Sequence, residues 1–405
     1  MHMTNLLKAF SLALELADGG ISRHHWRTAV IADRIGAHID LAQGPQQTLL
    51  YAALLHDIGA AFRWEEKSSL YSHKPIADLY SHAEEGYQLL AGSPHFKAMA
   101  KPIRHHHDRW EGSSPSGLAG KDIPLAGRII NLADTFEVLI DDNVYILDQR
   151  EDILAAITRQ SGRQFDPTLV QAIKEIACQE SFWFDLATPH FYDQFFRNIQ
   201  SHGQVRLDSN GVLGAAEIFA TIVDRTSRYT ARHSRTVAAV AAFLAAAKGY
   251  SKAEVKMMRV AGLLHDLGKL TVPNYILEKP GKLTPREFAI IKQHAYYTHR
   301  ILTQIDDFEL IADWAAFHHE TLDGTGYPFR IPPENLRLGC RIVAVADVYA
   351  ALREDRPYRP SLSPREVEKI MLSMAASRQL DADIVNTLLS GRDTVEGALP
   401  AGLPA

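Results

Sequence analysis

The chain has 405 residues, 46% of them apolar, enough to bury two cores of roughly 150 to 200 residues each. Acids and bases are interspersed at a net charge of −5, so no broad basic surface points to duplex nucleic acid or to a membrane, and an anionic ligand would need a local site. Two cysteines of unrelated spacing, Cys178 and Cys340, argue against a disulfide framework and for a reducing cytoplasm.

The apolar stretch 12–17 carries Glu15 and lacks a basic leader, which argues against a signal peptide, and nowhere does an apolar run reach the about 18 residues of a membrane span. Polar signatures then follow in order: His25, His56-Asp57, His82, His106-His107 and Asp134. Next comes an aromatic run, Phe182, Trp183, Phe184, Phe191, Tyr192, Phe195 and Phe196, expected to serve interdomain packing, with a dimer contact as the alternative. Glycines and polar residues at 201–214 suggest a linker. Apolar residues at three and four spacing predict helices at 215–222, 237–247, 253–264, 288–302, 311–317 and 338–352, with no convincing strand.

Through these helices the signature returns as His233, His265-Asp266, His294, His318-His319 and Asp347, at offsets of 208 to 213. The flanks agree: Leu54-Leu55-His56-Asp57-Ile58-Gly59 matches Leu263-Leu264-His265-Asp266-Leu267-Gly268, and Arg128 to Asp134 matches Arg341 to Asp347. A period this long is no solenoid unit. The fold expected is all-α, two tandem helical domains related by duplication, at 1–200 and 201–405.

Imidazole with carboxylate suits iron, manganese, nickel or zinc, and neighbouring ligands such as His265-Asp266 point about 100° apart on a helix, so each pair can address two ions. His233, His265, Asp266 and Asp347 are assigned to one ion, and Asp266, His294, His318 and His319 to the other, with Asp266 bridging. Two such ions form a bridging hydroxide and stabilise in-line displacement at phosphorus.

The surroundings of the second set are more specific. His265-Asp266-Leu267-Gly268-Lys269, followed by His318-His319-Glu320-Thr321-Leu322-Asp323-Gly324-Thr325-Gly326-Tyr327-Pro328, resembles the HD-GYP family, a branch of the HD metal-dependent phosphohydrolases. The likeness covers 229 to about 381 and includes Lys279-Pro280-Gly281-Lys282-Leu283-Thr284 and Asp355-Arg356-Pro357-Tyr358-Arg359. It implies an all-helical hydrolase of cyclic di-GMP, giving pGpG and often GMP, with some members preferring 3′,3′-cGAMP. It implies the seven ligands above, Lys269 as the cation near the scissile phosphate, and Arg356 and Arg359 as phosphate-binding positions. Tyr327 is available to stack on a base. Iron and manganese lead as the metals, with nickel or zinc as alternatives. Some members have a glutamate four residues before the first histidine and bind a third metal; Tyr229 stands there, which favours two. Ala350 replaces an aspartate common in the family.

The first copy, His25, His56, Asp57, His82, His106, His107 and Asp134, keeps its ligand positions and resembles a plain HD domain. Ala60 stands in place of the lysine, no GYP loop follows His107, and Asn143 and Ile146 stand in place of the arginines. A metal-holding but idle domain is expected, with a second hydrolase or a decayed site as alternatives. For the whole chain the alternatives to the phosphodiesterase are a non-catalytic effector, acting through a cyclic dinucleotide or a partner protein, and a mononucleotide phosphohydrolase. Homodimerisation is open.

Overall fold

The computed structural model describes residues 1–16, 23–60, 79–188, 192, 194–196, 205–226, 232–355 and 360–398. Arg356, Arg359, Tyr229 and Phe191 lie outside the described residues. Two compact units emerge, His2–Arg206 and Leu207–Ala405, with Met1 grouped with the second. The described residues are helical, with only two isolated bridges, His2 to Arg206 and Ser161 to Phe165. No described helix is long and apolar enough to cross a membrane.

In the second unit the helices extend the predicted segments by local capping. Ser251 and Glu254 form a capping box on Lys252–Leu264, and Thr284 and Glu287 form one on Pro285–Leu302, where Pro285 takes a first-turn position that needs no backbone donor. The expected linker is shorter than its glycines suggested. The Asp208 carboxylate accepts from the Asn210 and Gly211 amides and starts the helix Ser209–Arg225, so Gly211 and Gly214 lie inside it.

Both units pack their helices in the same pattern. In the second, His233–Ala247 lies against Lys252–Leu264 and Leu338–Arg353, while Pro285–Leu302 lies against the turn Leu267–Thr271 and against Glu309–Ala316. In the first, His24–His38 lies against Gln43–Leu54 and Leu125–Val138, while Leu79–Ala91 lies against the turn Ile58–Ala60 and Lys97–Arg104. Duplication thus extends from the histidine register to the topology. Four residues of the aromatic run pack within their own unit, Phe182 and Trp183 on Phe136, and Tyr192 and Phe196 on Trp26. Trp183 is wholly buried and donates to the Ala177 carbonyl.

One glycine in each unit sets how closely the site's helices approach. A Cβ on Gly268 would stand 2.0 Å from the His294 carbonyl oxygen and 2.8 Å from the Thr298 amide, and one on Gly59 would stand 2.0 Å from the His82 carbonyl oxygen. These are backbone atoms, so a methyl group must push the whole helix away. Gly268→Ala should cost about 3 kcal/mol, the upper part of the range for overpacking, and should displace His294. Urea titration reads this; an unchanged midpoint would mean that the helix yields without loss.

Candidate metal centre

Helix ends converge on the centre of the second unit. His233 opens His233–Ala247, His265 and Asp266 follow Lys252–Leu264 directly, and His318 and His319 follow Glu309–Ala316 after one residue. His294 projects from Pro285–Leu302 and Asp347 from Leu338–Arg353. Three rings are oriented by one device: His265 Nδ1 donates to the Gly262 carbonyl at 2.8 Å, His294 Nδ1 to Ile291 at 2.6 Å and His318 Nδ1 to Ala315 at 2.6 Å. Nδ1 is thereby engaged with the backbone, and Nε2 of each ring faces the centre. His233 Nδ1 is held instead by Glu354 Oε2 at 2.9 Å.

Asp266 stands in the middle and divides its oxygens between two groups. Oδ2 lies 3.2 Å from His265 Nε2 and 3.7 Å from His233 Nε2, and Asp347 Oδ1 closes that group at 3.1 Å from His233 Nε2. Oδ1 faces the other way, 3.5 Å from His294 Nε2. The donor atoms of His294, His318 and His319 lie within 4.8 Å of one another, as do those of His233, His265 and Asp347. The Nε2 atoms of His294 and His318 are buried with no hydrogen-bond partner. Buried acceptors left in this state are costly unless something binds them, and convergent imidazoles with carboxylates fit a divalent transition ion.

The field is uneven. Burial opposes charge on His265, but Asp266 and Asp347 outweigh it and push the imidazole up to about 10. On the other side burial, helped by the neighbouring His294, holds His319 down at about 3. Burial acts on Asp266 too, yet His265 and Lys269 keep its carboxyl well below the usual range. The Lys269 ammonium, one-fifth exposed, lies 2.5 Å from Asp266 Oδ2, the oxygen that faces the first group.

The loop after His319 folds back on the cluster. A Cβ on Gly326 would stand 2.5 Å from Glu320 Cα and 2.7 Å from the His319 carbonyl oxygen, so only glycine permits this approach. The Tyr327 amide donates to that carbonyl at 3.2 Å, and the Tyr327 ring stacks on His319 with centroids 4.7 Å apart. One face of Tyr327 is therefore taken by a cluster residue rather than offered to a base. The buried Glu320 carboxylate accepts from the amides of Phe329, Arg330 and Ile331 at 2.8 to 3.1 Å and anchors the loop's far end.

The first unit repeats the division with one substitution. Asp57 Oδ1 faces His82 Nε2 at 3.3 Å and His106 Nε2 at 3.7 Å, and Oδ2 faces His56 Nε2 at 3.4 Å. His107 Nε2 is 3.0 Å from His82 Nε2. The place that His233 takes in the second unit is taken by His24, one residue before the predicted His25. His24 Nε2 lies 3.3 Å from Asp134 Oδ1 and 3.1 Å from His56 Nε2, with Nδ1 on Glu137 Oε2 at 2.5 Å. His25 lies beside it, with Nε2 3.8 Å from Asp57 Oδ2. Ala60 brings no cation to this cluster.

His24, Glu137, Glu354 and Glu320 were missed in the sequence. His24 had a signal, since its offset of 209 to His233 equals that of His56 to His265. The glutamates had none in the repeat, because Glu137 follows Asp134 by three residues and Glu354 follows Asp347 by seven. Ala350 stands where Glu137 aligns, so Glu354, one turn further on, supplies the carboxylate that Ala350 cannot.

The HD domain model matches twice, over residues 8–169 and 217–384. The chain is similar to the 3′3′-cGAMP-specific phosphodiesterases 1 and 3 of Vibrio cholerae. The first is 29% identical over 95% of this chain and 91% of its own, and the second is 35% identical over 89% and 88%. A crystal structure of a cyclic GMP-AMP specific phosphodiesterase from V. cholerae matches with a TM-score of 0.66 at 26% identity, covering 98% of each chain. With both units matched and the His-Asp and Gly-Tyr-Pro elements at the second cluster, the chain belongs to the HD domain family, in its HD-GYP branch.

Proposed function

We infer that this protein is a metal-dependent phosphodiesterase that hydrolyses a cyclic dinucleotide at the second unit's cluster. The observation that carries this is the division of Asp266, with one carboxylate oxygen toward His233 and His265 and the other toward His294. That geometry supports two ions sharing Asp266, one with His233, His265 and Asp347, the other with His294, His318 and His319. Bound there, such ions supply Lewis acidity and a water acidic enough to attack phosphorus at neutral pH. A transition ion such as iron or manganese suits this mixed imidazole and carboxylate donor set better than magnesium or calcium would. Lys269, on Asp266, is placed to offset charge developing on the phosphoryl oxygens, and Arg356 and Arg359 are assigned to phosphate binding by family resemblance. The similarity to full-length cGAMP-specific enzymes favours 3′,3′-cGAMP over cyclic di-GMP.

For the first unit the same reasoning supports a metal-holding domain without turnover. It has the divided aspartate, and His56 Nδ1 and His106 Nδ1 donate to the Ala53 and Ile103 carbonyls as their counterparts do, but it lacks the lysine and the GYP loop. One experiment tests both readings: product analysis with 3′,3′-cGAMP and cyclic di-GMP, alongside elemental metal counting, on the full chain and on a His24→Ala, His56→Ala, Asp57→Ala variant. The expected result is a linear dinucleotide from the wild type, and a variant that loses metal while retaining turnover. Retention of unhydrolysed nucleotide by metal-loaded wild type would make the protein an effector, and unchanged metal content in the variant would make the first cluster a relic.

A further inference from the structure

We propose that Lys292 is a substrate-docking residue whose ammonium, held over the Phe288 and Tyr327 rings beside the second cluster, pairs with the phosphodiester that is not being cleaved. The proposal deepens the function inferred above and rests on it. Phe288 and Lys292 lie four residues apart on Pro285–Leu302 and so share a face, two residues short of His294. Lys292 Nζ is 5.3 Å from the Phe288 ring centroid and 6.0 Å from that of Tyr327, while the Tyr327 ring stacks on His319. An unbroken line of contacts thus runs from the metal cluster through His319 and Tyr327 to this ammonium.

The partners of nearby lysines sharpen the point. Lys269 is paired with Asp266 and Lys279 with Glu287, whereas among the described residues Lys292 has aromatic faces and no carboxylate. A cation on ring faces is located without being neutralised, which leaves it able to attract an anion. A cyclic dinucleotide has two phosphodiesters on opposite sides of its macrocycle, each with one negative charge. With one at the metal cluster, the other must lie some way outward, and a flexible point charge suits a phosphate there. The first unit supports the assignment by contrast. At the matching register position, set by His82 and His294, it has Tyr80, which donates to Ser114 Oγ at 3.2 Å, so the unit lacking the catalytic lysine lacks this one as well.

The test compares Lys292→Gln and Lys292→Arg with the full-length wild type on 3′,3′-cGAMP and on bis(p-nitrophenyl) phosphate, a diester with a single phosphate. For Lys292→Gln the expected result is a KM for the cyclic dinucleotide raised about tenfold, equivalent to about 1.4 kcal/mol, with kcat changed less than about twofold. Bound metal should be conserved, the salt dependence of KM weakened, and the effect on the small diester clearly smaller. Lys292→Arg should recover most of the loss. Equal losses on both substrates, or loss of metal, would make Lys292 a support for the cluster and overturn the proposal, as would an unchanged KM. If wild-type protein cleaves only the small diester, the cyclic-dinucleotide reading itself fails, and that control identifies the failure before any variant is compared.

Discussion

Asp266→Ala is expected to abolish turnover and to lower bound metal throughout the second cluster, because the two carboxylate oxygens of Asp266 face the two histidine groups. The loss in kcat should reach at least about 10³-fold, the scale seen when a group acting as part of a unit is removed. Stability moves as well. Asp266 is almost fully buried against His265 and Lys269, and removing one partner of a buried charged pair costs about 3 to 5 kcal/mol, less here because Lys269 reaches solvent. Asp266→Asn keeps the shape while losing the charge, so it separates the two effects: it should stay folded by circular dichroism yet hold less metal and turn over no faster than the alanine variant. Near-normal turnover in a folded Asp266→Ala protein would sink the shared-ligand arrangement.

Much of this centre was legible in the sequence because duplication prints each ligand twice. Five histidines and two aspartates in one register cannot be core packing, since unpaired buried polar groups are too costly to keep in number. The helices were legible for a related reason: their apolar faces repeat at helical spacing, as in 253–264 and 338–352, which fold as Lys252–Leu264 and Leu338–Arg353. What escaped was decided by direction rather than by type. His24 and His25 are adjacent and both fit offsets that drift from 208 to 213, but neighbouring helical residues point about 100° apart, and only His24 meets Asp134 while resting on Glu137. The glutamates behind His24 and His233 sit at non-equivalent positions, Glu137 and Glu354, so comparing the two copies could not pair them. The glycines at 211 and 214 read as a linker because their cost in a helix is visible in sequence, whereas the offsetting Asp208 cap is visible only in space.

The contrast between Lys269 and Ala60 carries the remaining prediction with a large effect. The two clusters share their divided aspartate and their oriented imidazoles, and differ in whether an ammonium stands on the aspartate oxygen. If that ammonium offsets charge in the transition state, Lys269→Ala should lower kcat by about 10²- to 10³-fold while KM changes little. Metal should stay, because Lys269 contributes no donor to the cluster and its removal leaves the seven imidazole and carboxylate residues in place. Lys269→Arg should recover only part of the rate, since a planar guanidinium cannot occupy the compact position of an ammonium beside Asp266 Oδ2. Metal loss in Lys269→Ala equal to the loss of rate would mean that the lysine works by holding Asp266 in place, and the idleness proposed for the first unit would then have to rest on its missing loop instead.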